Sequence, residues 1–200
     1  MSRPEKDETR RTTAEDAGKV VTRRTTTEDS GKVVIRRTAA EDIGKIVIRR
    51  MTADDIECVL VVERACFSHP WSAEVFSATL LLPYAHYYVA EITEEDGTQR
   101  IIGECGVRDI VGEGEITNVA VHPDWQGFGV ASRMLGAVLA RSLEEGMTAF
   151  TLEVRAGNRP AIALYEKYGF RTEGIRADFY DKPVEDALIM WRRKNGTDGP

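Results

Sequence analysis

Residues 116–135 read ITNVAVHPDWQGFGVASRML, and residues 150–170 read FTLEVRAGNRPAIALYEKYGF. Ile116, Val119, Ala120 and Val121 make a nearly continuous apolar run, as a strand covered on both faces requires. The loop at 122–129 opens into a segment whose apolar residues are Ala131, Met134, Leu135, Val138 and Leu139. That spacing of i, i+3, i+4, i+7 and i+8 is one face of a helix. Phe150–Arg155 reads as a second buried strand and Pro160–Tyr168 as a second helix, so the two stretches form a βαβ unit followed by a helix. Working outward, strands are expected at 87–92 and 101–110 upstream and at about 170–176 and 185–192 downstream, with turns at 94–97 and 111–114. Still earlier, Val47–Arg50 reads as a first strand. It leads into a helix capped by Thr52 that continues through Ile56, Val59, Leu60, Glu63 and Phe67, and Ser72 caps a second helix stapled by Trp71 and Phe76. The expected fold is α/β, with an antiparallel front half, a parallel βαβ back half, six to seven strands and about four helices.

Three features of the two quoted stretches carry chemistry. Gly127 and Gly129 let the backbone approach a group at the mouth of the helix, where free N–H groups and the helix dipole favour an anion. Such glycines can also serve packing alone. Glu153 is a carboxylate inside an apolar strand, which is costly unless it is paired, solvated or at work. Its structural alternative is an ion pair with Arg155, two residues on and on the same strand face. Twelve residues after Glu153, Tyr165 lies on the next helix, either as a proton donor or as an aromatic packing residue. A carboxylate, a phenol and an anion-binding helix mouth together suggest acid/base chemistry on a phosphate-bearing cofactor.

Gln126-x-x-Gly129-x-Ala131 resembles the pyrophosphate-binding signature of the GCN5-related N-acetyltransferases, the GNAT family. LEVRAGNRPAIALYEKYGF (152–170), IRADFYDKPVEDALIM (175–190) and SHPWSAEVF (68–76) are similar to its RimI-type branch, which acetylates the N-terminal alanine of a small-subunit ribosomal protein. The resemblance covers roughly residues 47–192 and implies a GNAT fold with a splayed sheet. It implies acetyl-CoA as cosubstrate and no metal. Direct transfer would use Glu153 as general base and Tyr165 as general acid. Backbone groups of Val119, Ala120 and Val121 would line the pantetheine arm, and the segment Gln126, Gly127, Phe128, Gly129, Val130, Ala131 and Ser132 would wrap the pyrophosphate. Asn158 matches a cofactor-binding position and is equally a helix N-cap. The family's hairpin has a tyrosine pair where this chain has Phe179–Tyr180. Two rival readings are the same chemistry on another protein terminus or a small amine, and a CoA-sensing module without turnover.

The acceptor reading draws on charge. The 200 residues carry a net charge of −6 and a pI near 5.3, which argues against nucleic acid as the main partner and mildly favours a basic one. Outside residues 1–46 there are sixteen basic and twenty-four acidic residues, so an acidic rim (Asp178, Tyr180, Asp181, Glu185 and Asp186 are candidates) would attract a basic peptide terminus. Cys58, Cys66 and Cys105 lack metal-like spacing and read as buried free thiols in a reducing compartment. His69, His86 and His122 form no ligand cluster. With no signal peptide and no membrane-length apolar run, a cytoplasmic location is expected; the expected oligomeric state is a monomer.

Residues 10–61 also hold a repeat of period thirteen, with Arg-Arg at 10–11, 23–24, 36–37 and 49–50. The upstream copies place Gly18, Gly31 and Gly44 where the fourth has Glu57, and Gly there weakens a helix by about 1 kcal/mol relative to Ala. A mobile extension over 1–46 is the expectation, with an added edge strand or short helix as the alternative. Residues 193–200 read as a disordered tail. Nine acidic against eleven basic residues in 1–46 make a nucleic-acid arm a weak third option.

Overall fold

The structure is a computed structural model. It describes residues 46–94, 96–181 and 183–193, all in the unit that begins at Lys45. The upstream repeats and the tail from Lys194 lie outside the described residues.

Seven strands form one sheet in the order β1-β2-β3-β4-β5-β7-β6. They are β1 (Val47–Arg50), β2 (Ala85–Thr93), β3 (Gln99–Ile110), β4 (Glu113–Val121), β5 (Ala149–Arg155), β6 (Arg171–Asp181) and β7 (Val184–Arg193). Every neighbouring pair is antiparallel except β4 and β5. That parallel pairing is short: it runs from Glu113 opposite Ala149 to Ile116 opposite Leu152 and then stops. Beyond it the two strands diverge, leaving a splay whose first unpaired residues are Thr117 and Glu153.

Four helices accompany the sheet among the described residues: α1 (Ile56–Cys66), α2 (Ala73–Leu80), α3 (Val130–Glu144) and α4 (Arg159–Lys167). They lie on both faces, as the alternation along β2 makes plain. Tyr87 and Val89 pack with Val59, Leu60, Val62 and Phe76 of α1 and α2, whereas Tyr88 points the other way, beneath Arg141 of α3. Trp71, Phe76 and Tyr87 form an aromatic triangle with centroids 5.4–5.9 Å apart. Phe76 has no exposed surface, so truncating it to Ala would destabilise the fold by roughly 3–5 kcal/mol.

The front of the domain differs in detail from the sequence reading. Thr52 precedes a single turn of 3-10 helix (Ala53–Asp55) before α1 begins. The Asp55 carboxylate accepts hydrogen bonds from the Thr52 amide and hydroxyl. It also takes a bidentate pair from Arg49, 2.7 Å on each arm. Ser72 caps α2 as expected, its hydroxyl accepting from the Val75 amide. The cysteines are all free, but only Cys105 is buried; Cys66 is half-buried and Cys58 exposed. Cys58 lies on the solvent face of α1, which the residue type alone did not reveal. No helix among the described residues is long and apolar enough to cross a membrane. None of their His, Cys, Asp and Glu side chains form a group of three or more able to hold a metal ion.

Candidate active site

The splay places the sequence-predicted residues on three of its sides. On the β4 side, the Val121 carbonyl accepts hydrogen bonds from Gln126 Nε2 (2.9 Å) and Cys66 Sγ (3.2 Å). The next amide, His122 N–H, instead bonds back to Ile102 of β3. A strand's backbone groups alternate in direction, so those of Val119 and Val121 face the splay while those of Ala120 face β3. Gln126 thus acts through its side chain on the strand end, anchoring the loop at 122–129 to β4.

At the end of that loop the chain turns into α3. Gly127 and Gly129 have φ of 82° and 77°, the left-handed region in which a side chain is strained. Nothing lies within 4 Å of where a Cβ would stand at either position. Gly129 is the N-cap and no side chain caps the helix, so its first amides have no partner within the helix. Val130 is buried and Phe128 partly so, which fixes the entry of the turn. Ser132 does not aim its hydroxyl at the open space. Its Oγ lies 3.1 Å from the Tyr168 hydroxyl and accepts from Lys167 Nζ at 3.2 Å, while Tyr168 also donates to the Ser132 carbonyl. What Ser132 and Ala131 offer at the helix mouth is therefore backbone N–H. An uncapped helix start with two open glycine positions fits a diphosphate.

The third side belongs to β5 and α4. Phe150, Leu152 and Val154 turn to the core, so Thr151, Glu153 and Arg155 share the opposite face. Glu153 is ion-paired, but to Arg176 of β6 at 2.8 Å. Arg155 instead pairs with Glu185 at 3.2 Å and lies 4.0 Å over the ring of Tyr180. The reason is Ala187 of β7, which sits opposite Arg155 on one side and Arg176 on the other. Cross-strand partners share a face, and the small methyl group lets Arg176 reach over β7 to the carboxylate.

Tyr165 is 8 % exposed and packs edge-on against Phe170 with centroids 5.9 Å apart. Burial, reinforced by Cys105 and Tyr180, raises its pKa above the ordinary tyrosine value. No hydrogen bond joins it to Glu153; Tyr180 stands within electrostatic reach of both. Asn158 is the N-cap of α4, its side-chain oxygen accepting from the Ala161 amide at 3.3 Å. Of the expected acidic rim, Glu185 is engaged with Arg155 and the Gly157 amide, and Asp186 accepts from the Asp178 amide.

Sequence reasoning passed over a polar cluster beside the splay. Glu63 of α1 and Glu104 of β3 are 1 % and 0 % exposed, and Asn118 Nδ2 donates to both, at 3.4 and 2.6 Å. The signal was the one that singled out Glu153, a carboxylate inside an apolar run (IIGECGV, 101–107).

This geometry agrees with what the chain is similar to. The family model described as acetyltransferase (GNAT) family matches residues 56–170. A Bacillus subtilis protein provisionally named a ribosomal protein bS18-alanine N-acetyltransferase is 37 % identical over 134 residues, covering 66 % of this chain and 85 % of that one. The Escherichia coli K12 protein named ribosomal protein bS18-alanine N-acetyltransferase is 30 % identical over 131 residues, covering 64 % and 84 %. The crystal structure of the ribosomal-protein-S18-alanine N-acetyltransferase from Escherichia coli superposes with a TM-score of 0.66 at 26 % identity, covering 78 % of this chain and 99 % of that one. With more than half of its length matched by the family model and its sheet parted between β4 and β5, this chain is an acyltransferase and belongs to the acetyltransferase (GNAT) family.

Proposed function

We propose that the protein transfers an acetyl group from acetyl-CoA to a protein N-terminal α-amine, and that its acceptor is the N-terminal alanine of the small-subunit ribosomal protein bS18, in the cytoplasm. The observation that carries this reading is the position of Glu153, the first β5 residue past the last β4–β5 pair, across from an uncapped helix mouth. The names of the bacterial relatives supply the acceptor.

Acetyl-CoA supplies an activated acetyl group as a thioester. Amides at the start of α3, from Gly129 to Ser132, hold its pyrophosphate, with Gly127 and Gly129 permitting close approach. The splay-facing backbone of Val119 and Val121 aligns the pantetheine arm as an added strand would, and one of those amides meets the developing oxyanion. Asn158 holds the entrance of α4 in register.

Glu153 takes the proton from the amine, directly or through one water. An α-amine has an ordinary pKa of about 7.7–8.0, so much of it is already neutral near pH 7, whereas a lysine near 10.4 would ask far more of the same base. The Arg176 ion pair holds the Glu153 carboxylate in place at the splay. Tyr165 gives its proton to the departing sulfur. Burial raises the affinity of phenolate for the proton, but the same dry surroundings penalise a thiolate, so the transfer stays matched.

Steady-state turnover with a basic, alanine-starting peptide tests this. Glu153→Gln and Tyr165→Phe are each expected to lower kcat by roughly 10²–10⁴-fold while CoA affinity persists. Tight CoA binding without turnover on any peptide terminus would point to a sensing module. Turnover only on small amines would replace the acceptor.

A further inference from the structure

The buried cluster of Glu63, Glu104 and Asn118 has no part in acetyl transfer as derived above, yet it ties α1 and β3 to β4, which is one side of the splay. Glu104 stands in the middle of β3 and Glu63 near the end of α1, both without solvent. A shift in the β3–β4 register between Gly106 and Val107 leaves Thr117 out of the pairing and brings Asn118 opposite Gly106. Thr117 Oγ1 then donates to Asn118 Oδ1 at 2.8 Å, with the Tyr87 hydroxyl 3.0 Å from Thr117. A Cβ at Gly106 would collide with both Thr117 and the Tyr87 ring. This chain of contacts turns the Asn118 amino group to the two carboxylates. The second oxygen of Glu63 accepts from the backbone amide of Trp71 at 2.8 Å.

One atom remains unexplained. Glu104 Oε2 is buried and has no donor. Two ionised carboxylates cannot share one amide donor in a dry interior. A proton on Glu104 resolves both problems, because Oε2–H then donates to Glu63. The sequence of donors becomes Thr117 to Asn118, Asn118 to Glu104, Glu104 to Glu63, and Trp71 to Glu63, with one negative charge in all. We propose that Glu63, Glu104 and Asn118 form a one-proton carboxyl clamp that fastens the 67–72 loop to β4 at the splay and so positions the acceptor side of the site. The inference rests on the proposed peptide acceptor, and takes the 67–72 loop, whose sequence resembles the RimI-type branch, as a wall of its cleft.

The surroundings keep the clamp's charge its own. Facing it are Cys66 from α1 and Tyr87 from β2, while Cys105, the next residue of β3, turns to the opposite face of the sheet with Tyr88. Burial holds Cys66 up to about 11, and burial likewise raises Tyr87 and Cys105, so all three are neutral at pH 7. Burial first, then the charge and hydrogen bond of Glu63, hold the Glu104 proton well above the usual carboxylate range. The folded chain therefore keeps a proton that the unfolded chain releases near 4.5. The resulting stability is complete below that value and is lost as pH rises through the folded pKa. Above it two buried charges repel, and the Trp71 anchor loosens.

Glu104→Gln fixes the protonated arrangement, since its amide nitrogen donates to Glu63 and its oxygen accepts from Asn118. Wild type and variant are compared by thermal melting from pH 4 to pH 9, by hydrogen exchange of the Trp71 amide, and by peptide KM. The variant is expected to match wild type at pH 4, below the unfolded carboxyl's 4.5, and to melt progressively higher than it towards pH 9. Its Trp71 amide should be protected at least about tenfold more at pH 9, and the ratio of wild-type to variant peptide KM should rise with pH at constant kcat. Parallel melting curves overturn the clamp whatever the acceptor is. Divergent melting with equal Trp71 protection at both pH extremes overturns the positioning role. Glu63→Gln, with one oxygen left for three donors, should raise peptide KM about tenfold and leave acetyl-CoA KM unchanged; an unchanged peptide KM counts against the proposal. A wild-type enzyme that ignores the peptide defeats the acceptor assignment alone, because melting and exchange need no substrate.

Discussion

Arg49 shows how much of the front edge hangs on one side chain. Its guanidinium binds Asp55 with two arms and Glu91 with two further contacts of 3.0 and 2.6 Å, tying β1 to the turn before α1 and to β2. The carboxylates are nearly buried while the arginine is about a third exposed. Arg49→Gln is therefore expected to destabilise by roughly 2–3 kcal/mol in urea unfolding at pH 7, less than a fully buried pair would lose. The Arg49 hydrogen bond, set against burial and helped by Thr52, holds Asp55 down to about 2 from 3.8. A depressed carboxylate contributes stability above its unfolded pKa and loses it as pH falls through its folded one. The penalty should thus shrink between pH 4 and pH 2, and an equal penalty at both would assign the effect to packing. The sequence made Arg49 visible as half of a repeated pair and hid its partners, since Glu91 is 42 residues away. Glu153 taught the same lesson. Its place in an apolar strand marked it, but Arg155, its neighbour in sequence, was the wrong partner. The sheet order brought Arg176 across a small alanine instead.

Element boundaries were legible where one periodicity ran undisturbed. The apolar spacing of 131–139 predicted α3, and the apolar run at 150–155 predicted β5. β6 was expected to end near 176, whereas it continues to Asp181. Its pairing with β7 slips between Thr172 and Gly174 and again between Arg176 and Tyr180, and its face is mostly exposed, so no hydrophobic period survives to read. The turn into α3 is the reverse case, where two glycines declare the backbone conformation by residue type alone. Gly129→Ala tests whether that conformation serves a ligand. Alanine at φ 77° carries a strain of about 1–2 kcal/mol and pulls the first amides out of line. The expected result is an acetyl-CoA KM raised about tenfold with peptide KM unchanged. A loss confined to thermal stability would reduce these glycines to a packing role.

At the scale of the molecule, the sheet is two plates joined by a ladder of four residue pairs. The front plate, β1 to β4, is held by α1 and α2 on one face and α3 on the other; the back plate, β5 to β6, carries Glu153 and the hairpin. A weak seam between two well-packed plates is where a ligand adds most, since it supplies the backbone partners that β4 lacks beyond Ile116. A ligand that binds only the folded state adds about 2.7 kcal/mol at a hundred times its Kd, which for a chain of this size corresponds to a melting shift of roughly 5–11 °C. The distribution of that gain is more telling than its size. Added CoA should slow hydrogen exchange at 119–121, at the first turn of α3 and at 153–155, and leave the β1–β2 ladder at its own rate. Protection spread evenly over all seven strands would mean that CoA stabilises the fold without bridging the seam, and the cosubstrate would then have to sit elsewhere than in the splay.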